Sequence, residues 1–208
     1  MFLDLRHSIE TLLPRKCVAF DLGGTLFERD PLHVRASIEA MRLCTEDEKS
    51  IATQVIEEEL RLGGSSRSFL MAVMERLEIN TSLLDEVVAR KRVRLRELQG
   101  TETLIGPARD LLTWLAAETD VFIVSQGAID ESQQLLQRTY ECATQPRPEI
   151  QVLGRATDRD EVDKYSMLAA ACGRQPSACL FIGDSEHDQL AAERLGVPFI
   201  HFSPFRTL

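Results

Sequence analysis

Asp21 closes the apolar run Cys17-Val18-Ala19-Phe20, and Leu22-Gly23-Gly24-Thr25-Leu26 follows it, so a carboxylate stands at the end of a predicted buried strand with a glycine turn beyond. In open parallel sheets ligands collect beyond the carboxyl ends of the strands, which aims such a carboxylate at a ligand. Three further signals fall at predicted strand ends or beside them. Ser125 closes Val121-Phe122-Ile123-Val124, Lys164 opens the helix before the fourth strand, and Gly183-Asp184-Ser185-Glu186-His187-Asp188 follows Leu180-Phe181-Ile182. Three carboxylates, a hydroxyl and an ammonium around one crevice suit phosphoryl transfer. Magnesium takes oxygen ligands, which Asp21 and Asp184 supply directly and Asp188 directly or through water. Lys164 offsets the negative charge of Asp21 and of the phosphoryl oxygens, while Ser125 and the N–H groups of the Gly23-Gly24 turn donate to those oxygens. Asp21 is then the nucleophile that forms an aspartyl-phosphate.

Taken singly these signals are ordinary. An Asp after a strand is often a cap, a lone Lys is usually solvated, and Gly-Asp-Ser is common turn chemistry. Ser125 alone reads as a strand-end hydroxyl bonded to backbone, and His187 as a residue that caps or solvates its helix. Their order along the chain, each with a strand end, is what makes the set specific.

Five short apolar runs must position these groups: Cys17 to Leu22, Val121 to Ser125, Ile150 to Leu153, Ala178 to Ile182 and Pro198 to Phe202. Each reads as a buried parallel strand. Helices are expected over Ala108 to Glu118 after Gly106-Pro107, from an Asp130 cap to about Tyr140, over Asp163 to Cys172 before Gly173, and over His187 to Leu195 before Gly196. Strand and helix alternate, which predicts an α/β fold with a doubly wound, Rossmann-like parallel sheet. The alternation breaks over residues 28–103, where amphipathic helices replace strands. Pro31 to Cys44 is one, Thr45-Glu46-Asp47-Glu48 offers a capping box for a second that ends at Gly63-Gly64, and Arg67 to Glu78 and Leu83 to Leu98 follow. An all-helical cap over 28–103 therefore interrupts a core made of 1–27 and 104–208. Its entry point after Asp21 predicts a lid. Phe69, Met71 and Met74 lie at helical spacing and read as cap core before pocket lining.

The 208 residues carry a net charge of −9, which argues against a nucleic-acid partner. The run Arg90-Lys91-Arg92-Val93-Arg94-Leu95-Arg96 reads as a solvated helix face. Cys17, Cys44, Cys142, Cys172 and Cys179 are far apart in sequence with no C-x-x-C pair, so neither a zinc site nor a disulfide framework is expected. No signal peptide or membrane span is visible, and a cytoplasmic setting follows.

On Asp21, Thr25, Ser125, Lys164, Asp184 and Asp188 the chain resembles the haloacid dehalogenase-like hydrolases, phosphatase branch, with a helical cap after the first motif. The resemblance runs from about Cys17 to Phe202 and leaves the N-terminal segment as an unassigned leader helix. It implies a magnesium-dependent phosphohydrolase for a small phosphorylated metabolite, a monomer or homodimer with no membrane or nucleic-acid partner. Phosphatases of the family carry D-x-D-x-T at the first motif, and Gly23 stands where the second Asp belongs. That Asp gives its carbonyl to magnesium and its side chain to the leaving group as general acid and then base. Gly23 retains the first role and deletes the second, so slow or selective hydrolysis is expected, because such catalysis is typically worth about 10² to 10⁴ in rate. Thr25 joins Gly23, Gly24, Ser125 and Lys164 in holding the phosphate.

Glu28, Asp30 and His33 are the nearby candidates for a replacement acid, although they read first as hinge charges and a helix-face residue. Dehalogenases have Tyr at the Gly23 position and need no metal, which the retained Asp184 and Asp188 argue against. Phosphonatases have Ala there and use a cap lysine as a Schiff base, but Lys49 and Lys91 are read as lying in no apolar setting that would depress a pKa. The alternative function is a catalytically reduced member of the fold that binds a phosphorylated ligand or a protein partner.

Overall fold

The structure, a computed structural model, describes residues 2–12, 15–45, 51–62, 66–98, 103–104, 108–141, 147–156 and 163–204. The chain divides into two units, Met1–Glu28 with Leu104–Leu208, and Arg29–Thr103.

The first unit is built on five parallel strands, β1 (Cys17–Phe20), β4 (Asp120–Ala128), β5 (Gln151–Arg155), β6 (Cys179–Gly183) and β7 (Phe199–His201), in the order β5-β4-β1-β6-β7. Two short strands, β2 (Phe27–Glu28) and β3 (Thr103–Leu104), pair separately where the chain leaves this unit and returns. The doubly wound α/β reading is met. β1 and β6 are apolar and buried along their whole length, as a strand covered on both faces must be. The order reverses between β1 and β6, so the ends of those two strands flank the switch point at which such sheets bind ligands. Register holds the switch point in place, with Phe20 of β1 opposite Ile182 of β6 and Asp21 N–H donating to Ile182 O at 2.8 Å.

Helices α1 (Phe2–Leu12), α6 (Ala108–Glu118), α7 (Ile129–Tyr140), α8 (Lys164–Cys172) and α9 (Glu186–Leu195) belong to the same unit. The N-terminal segment, unassigned from sequence, earns its place by burial: Leu5 and Ile9 of α1 join the sheet core with Leu112 and Leu115 of α6, and Arg6 lies 4.6 Å over the Trp114 ring. Asp130 does not cap α7. The preceding position is Ala128 and Asp130 sits in the first turn, where a carboxylate still favours the positive helix end. Gly173 and Gly196 stand at the C-caps of α8 and α9.

Cys17, distant in sequence from Cys172 and Cys179, meets them in the core with all three sulfurs within 4.8 Å of one another, because β1, β6 and the end of α8 come together there. Cys17 donates to Ala171 O at 3.7 Å and Cys179 to Gln175 O at 3.8 Å. A hydrogen bond with Cys172 and burial push the Cys17 thiol well up, and burial pushes Cys179 up to about 12, so Cys17 and Cys179 are protonated core thiols. Cys142 lies outside the described residues.

The second unit packs α2 (Asp30–Cys44), α3 (Thr53–Leu62), α4 (Ser66–Arg76) and α5 (Leu84–Leu98) around a core of Met41, Ile56, Phe69, Leu70, Met74 and Val87, among others. Phe69 and Met74 are buried in this core and Met71 packs against it, which is the packing role read from their spacing. The second helix begins at Thr53, not beside Thr45, which instead ends α2 with its N–H on Met41 O. Glu46, Asp47, Glu48, Lys49, Gly63-Gly64, Gly100 and Gly106-Pro107 lie outside the described residues. No described helix is long and apolar enough to cross a membrane.

Candidate active site

The site assembles from β1, β4, β6, the start of α8 and the start of α9. Asp21 follows β1 and is buried. Lys164 opens α8 behind the cap Asp163, whose carboxylate accepts from Ser166 N at 2.8 Å and fixes where the helix begins. From there the buried Lys164 ammonium contacts Asp21 Oδ1, Asp188 Oδ1 at 2.9 Å and Val124 O at 3.2 Å. It is shared between the nucleophile candidate and the Asp188 carboxylate, and tied to the strand that carries Ser125.

Asp184 follows β6, and its Oδ1 accepts from the buried Thr25 hydroxyl at 3.3 Å. Asp188 sits in the first turn of α9 and makes a capping box with Ser185. Its Oδ2 accepts from Ser185 N at 3.2 Å and Ser185 Oγ at 2.7 Å, while Asp188 N–H donates to Ser185 Oγ at 3.2 Å. Sequence reading saw Asp188 as a ligand; the structure adds that it positions both its own helix and Lys164. Gly183 leaves room for this, since a Cβ there would fall 2.7 Å from Asp188 Cβ.

The loop Leu22–Phe27 closes on itself. Gly24 N–H donates to Phe27 O at 2.8 Å, and the N–H groups of Leu26 and Phe27 go to Leu22 O, each at 3.0 Å. The Gly24 N–H is therefore spent inside the loop and is not open to a phosphate oxygen, contrary to the sequence expectation. Glycine is required at 24 for two other reasons: φ is +88°, and a Cβ would lie 2.3 Å from Asp184 Oδ2. Gly24→Ala is expected to cost about 1 to 3 kcal/mol of stability through backbone strain and crowding. Because the crowding falls on Asp184, it should also weaken divalent-metal affinity at least tenfold. Denaturant unfolding and a magnesium titration read the two effects.

Ser125 is buried and its Oγ accepts from Gly127 N at 3.1 Å, the backbone bond expected of it, with the hydroxyl hydrogen still to be donated. His187 differs from expectation. Ser185 caps the helix, and His187 Nε2 is buried without a hydrogen-bond partner among the described residues, with burial lowering the ring's pKa.

Burial pushes the Asp21 carboxyl up to about 6, with Asp188 adding to the rise and Lys164 opposing it. Burial pulls Lys164 down, but Asp188 and Asp21 outweigh it and hold the ammonium charged. Burial likewise raises Asp188, and Lys164 with the Ser185 bonds reverses the shift. Asp21, Asp184 and Asp188 bring carboxylate oxygens within 4.8 Å of one another. With one ammonium among three carboxylates, two negative charges stand uncompensated when all are ionised, and every available donor is a hard oxygen. That set fits a divalent cation of the magnesium type.

The three candidate replacement acids divide between the two units. Glu28 ends β2, and Asp30 and His33 lie in the first turn of α2 in the second unit. His33 is half-buried by accessible surface, yet its ring is enclosed enough that burial, then Lys91 and Arg29, hold its pKa well below the usual value. Lys91 corrects the sequence reading most sharply: it is buried, not solvated, and burial with Arg29 depresses its pKa to about 7. The signal was present in its spacing from Leu84, Val87, Val88 and Leu98, the buried stripe of α5.

The family model for haloacid dehalogenase-like hydrolases matches residues 15–196, from just before β1 to the glycine that ends α9. The chain belongs to the haloacid dehalogenase-like hydrolases. Its fold is shared with solved structures of low sequence identity. A hydrolase from Pseudomonas syringae is 23% identical, with a TM-score of 0.68 over 90% of this chain and 84% of that one. A protein from Bacteroides fragilis assigned to the haloacid dehalogenase-like hydrolases is 18% identical, with a TM-score of 0.74 over 93% and 90%. A predicted phosphoglycolate phosphatase from Haemophilus somnus is 18% identical, with a TM-score of 0.67 over 90% and 84%. Among curated proteins none matches the sequence significantly.

Proposed function

We propose that this hydrolase is a magnesium-dependent phosphatase of a small phosphorylated metabolite, working in the cytoplasm through an aspartyl-phosphate on Asp21. The observation that carries this reading is the buried convergence of Asp21, Asp184 and Asp188 with Lys164 at the sheet's switch point. The names of structural relatives, a phosphoglycolate phosphatase among them, agree with it.

Asp21, Asp184 and Asp188, with the Gly23 carbonyl, are the groups that would hold magnesium. When bound, the ion supplies charge stabilisation for a phosphoryl group in transfer. The chain's own residues do the rest. Asp21 attacks phosphorus with a carboxylate oxygen, an acyl-phosphate bond forms and the ester P–O bond breaks. Lys164 keeps the nucleophile oriented and offsets charge on the transferred group, while the Ser125 hydroxyl donates to a phosphoryl oxygen. Thr25 holds Asp184 in place. Water then cleaves the acyl phosphate and regenerates Asp21. Neither protonation of the leaving oxygen nor deprotonation of the water is served by Gly23.

Turnover of an aryl phosphate tests the reading. Activity should vanish on chelation and return with added magnesium. No turnover of any sugar, nucleotide, acyl or aryl phosphate with magnesium present would sink it. Gly23 favours a second reading, in which the pocket binds a phosphorylated ligand or serves a partner with its chemistry reduced.

A further inference from the structure

The cap holds a cation that no described residue of its own elements neutralises. Lys91 is 1% exposed, its Nζ lies 4.2 Å from the centre of the Phe69 ring, and it makes no hydrogen bond or ion pair among the described residues. The charged group that acts on it is a second cation, Arg29, whose Nε is buried without a hydrogen-bond partner. His33, in the first turn of α2, is acted on by both. Other arginines in the cap meet carboxylates: Arg35 meets Glu39 at 2.9 Å, Arg76 meets Glu58 at 2.6 Å, Arg90 meets Glu86 at 2.7 Å, Arg94 meets Glu97 at 2.7 Å, and Arg67 meets Asp85.

Burying a charge without a partner is costly, and an aromatic face offsets only part of that cost. Arg29 precedes α2, so the positive end of a 15-residue helix adds to the same field. An oxyanion satisfies every feature. One bound there would accept from Arg29 Nε, Lys91 Nζ and an imidazole N–H, and would supply the missing negative charge. We propose that Arg29, His33 and Lys91 form an oxyanion-binding site within the cap, taking a carboxylate or phosphate group.

The test is binding of sulfate and of acetate to the full chain stripped of divalent metal, at constant ionic strength. Without metal the core carboxylates repel an oxyanion, so a saturable response reports the cap. The expected result is one anion per chain, with the His33 ring resonances shifting while those of His7, His187 and His201 hold. Affinity should fall at least tenfold in Lys91→Met, which keeps an unbranched stem and removes the buried charge. Arg29→Gln, at the half-buried start of α2, should fall likewise and keeps the test open if Lys91→Met disturbs the cap core. No saturable shift of His33, or one that persists unchanged in both variants, overturns the proposal.

The occupant is a small oxyanion held within the cap, and the binding measurement does not depend on the phosphatase reading, so the two can fail apart.

Discussion

Asp21→Asn is expected to abolish phosphatase turnover, by on the order of 10⁴-fold or more, while leaving the fold intact. Asparagine has the shape of the carboxylate but no anionic oxygen to attack phosphorus, so no acyl phosphate forms. The loss is not a folding effect in disguise. Lys164 would keep Asp188 at 2.9 Å and Val124 O at 3.2 Å, so its buried ammonium stays paired when Asp21 loses its charge. Burial pushes the Asp21 carboxyl up to about 6, which means the charged form is costly there and its removal is tolerated. The near-ultraviolet circular dichroism of the variant should match the parent. Covalent capture of phosphate, followed by intact mass after acid quench, should be seen in the parent and not in the variant. Equal residual turnover in parent and Asp21→Asn would remove Asp21 from the nucleophile's place.

The sheet was legible from sequence because fully buried strands have a plain signature. Cys17 to Phe20 and Cys179 to Gly183 are apolar on both faces, and each is followed at once by an Asp that cannot continue the strand's burial without a ligand or partner. Lys164 was legible for a related reason, as the residue after an Asp cap that begins a helix. What the sequence concealed is where a side chain points once its element is packed. Lys91 lies in a run of arginines and looks solvated, yet helical geometry turns it inward with Val87 and Val88 while Arg90 meets Glu86 outside. Cys17 and Cys179 looked unrelated because adjacency in a parallel sheet joins residues more than a hundred positions apart, and the end of α8 brings Cys172 to the same place. The Gly24 N–H looked free because a hydrogen bond that closes a six-residue loop leaves no mark on composition.

Gly23→Asp separates the two readings of the pocket, and its expected effect is a gain of about 10² to 10⁴ in turnover of alkyl phosphates. The gain should be small for aryl and acyl phosphates, whose leaving groups depart without a proton. The backbone accepts the change, since Gly24 is the residue of this loop that needs a positive φ and Gly23 does not. Gly23 is half-buried, so a new carboxylate there retains access to solvent. It adds a fourth carboxylate beside Asp21, Asp184 and Asp188, and like charges crowded together raise one another's pKa. That favours a protonated, donating form of residue 23, the state a general acid needs. The ratio of alkyl to aryl turnover therefore reports proton delivery apart from metal or phosphate binding, which both substrates share. A rise in that ratio identifies the proton as what Gly23 withholds. An unchanged ratio, with magnesium still bound, would mean that the pocket is limited elsewhere, and binding becomes its better description.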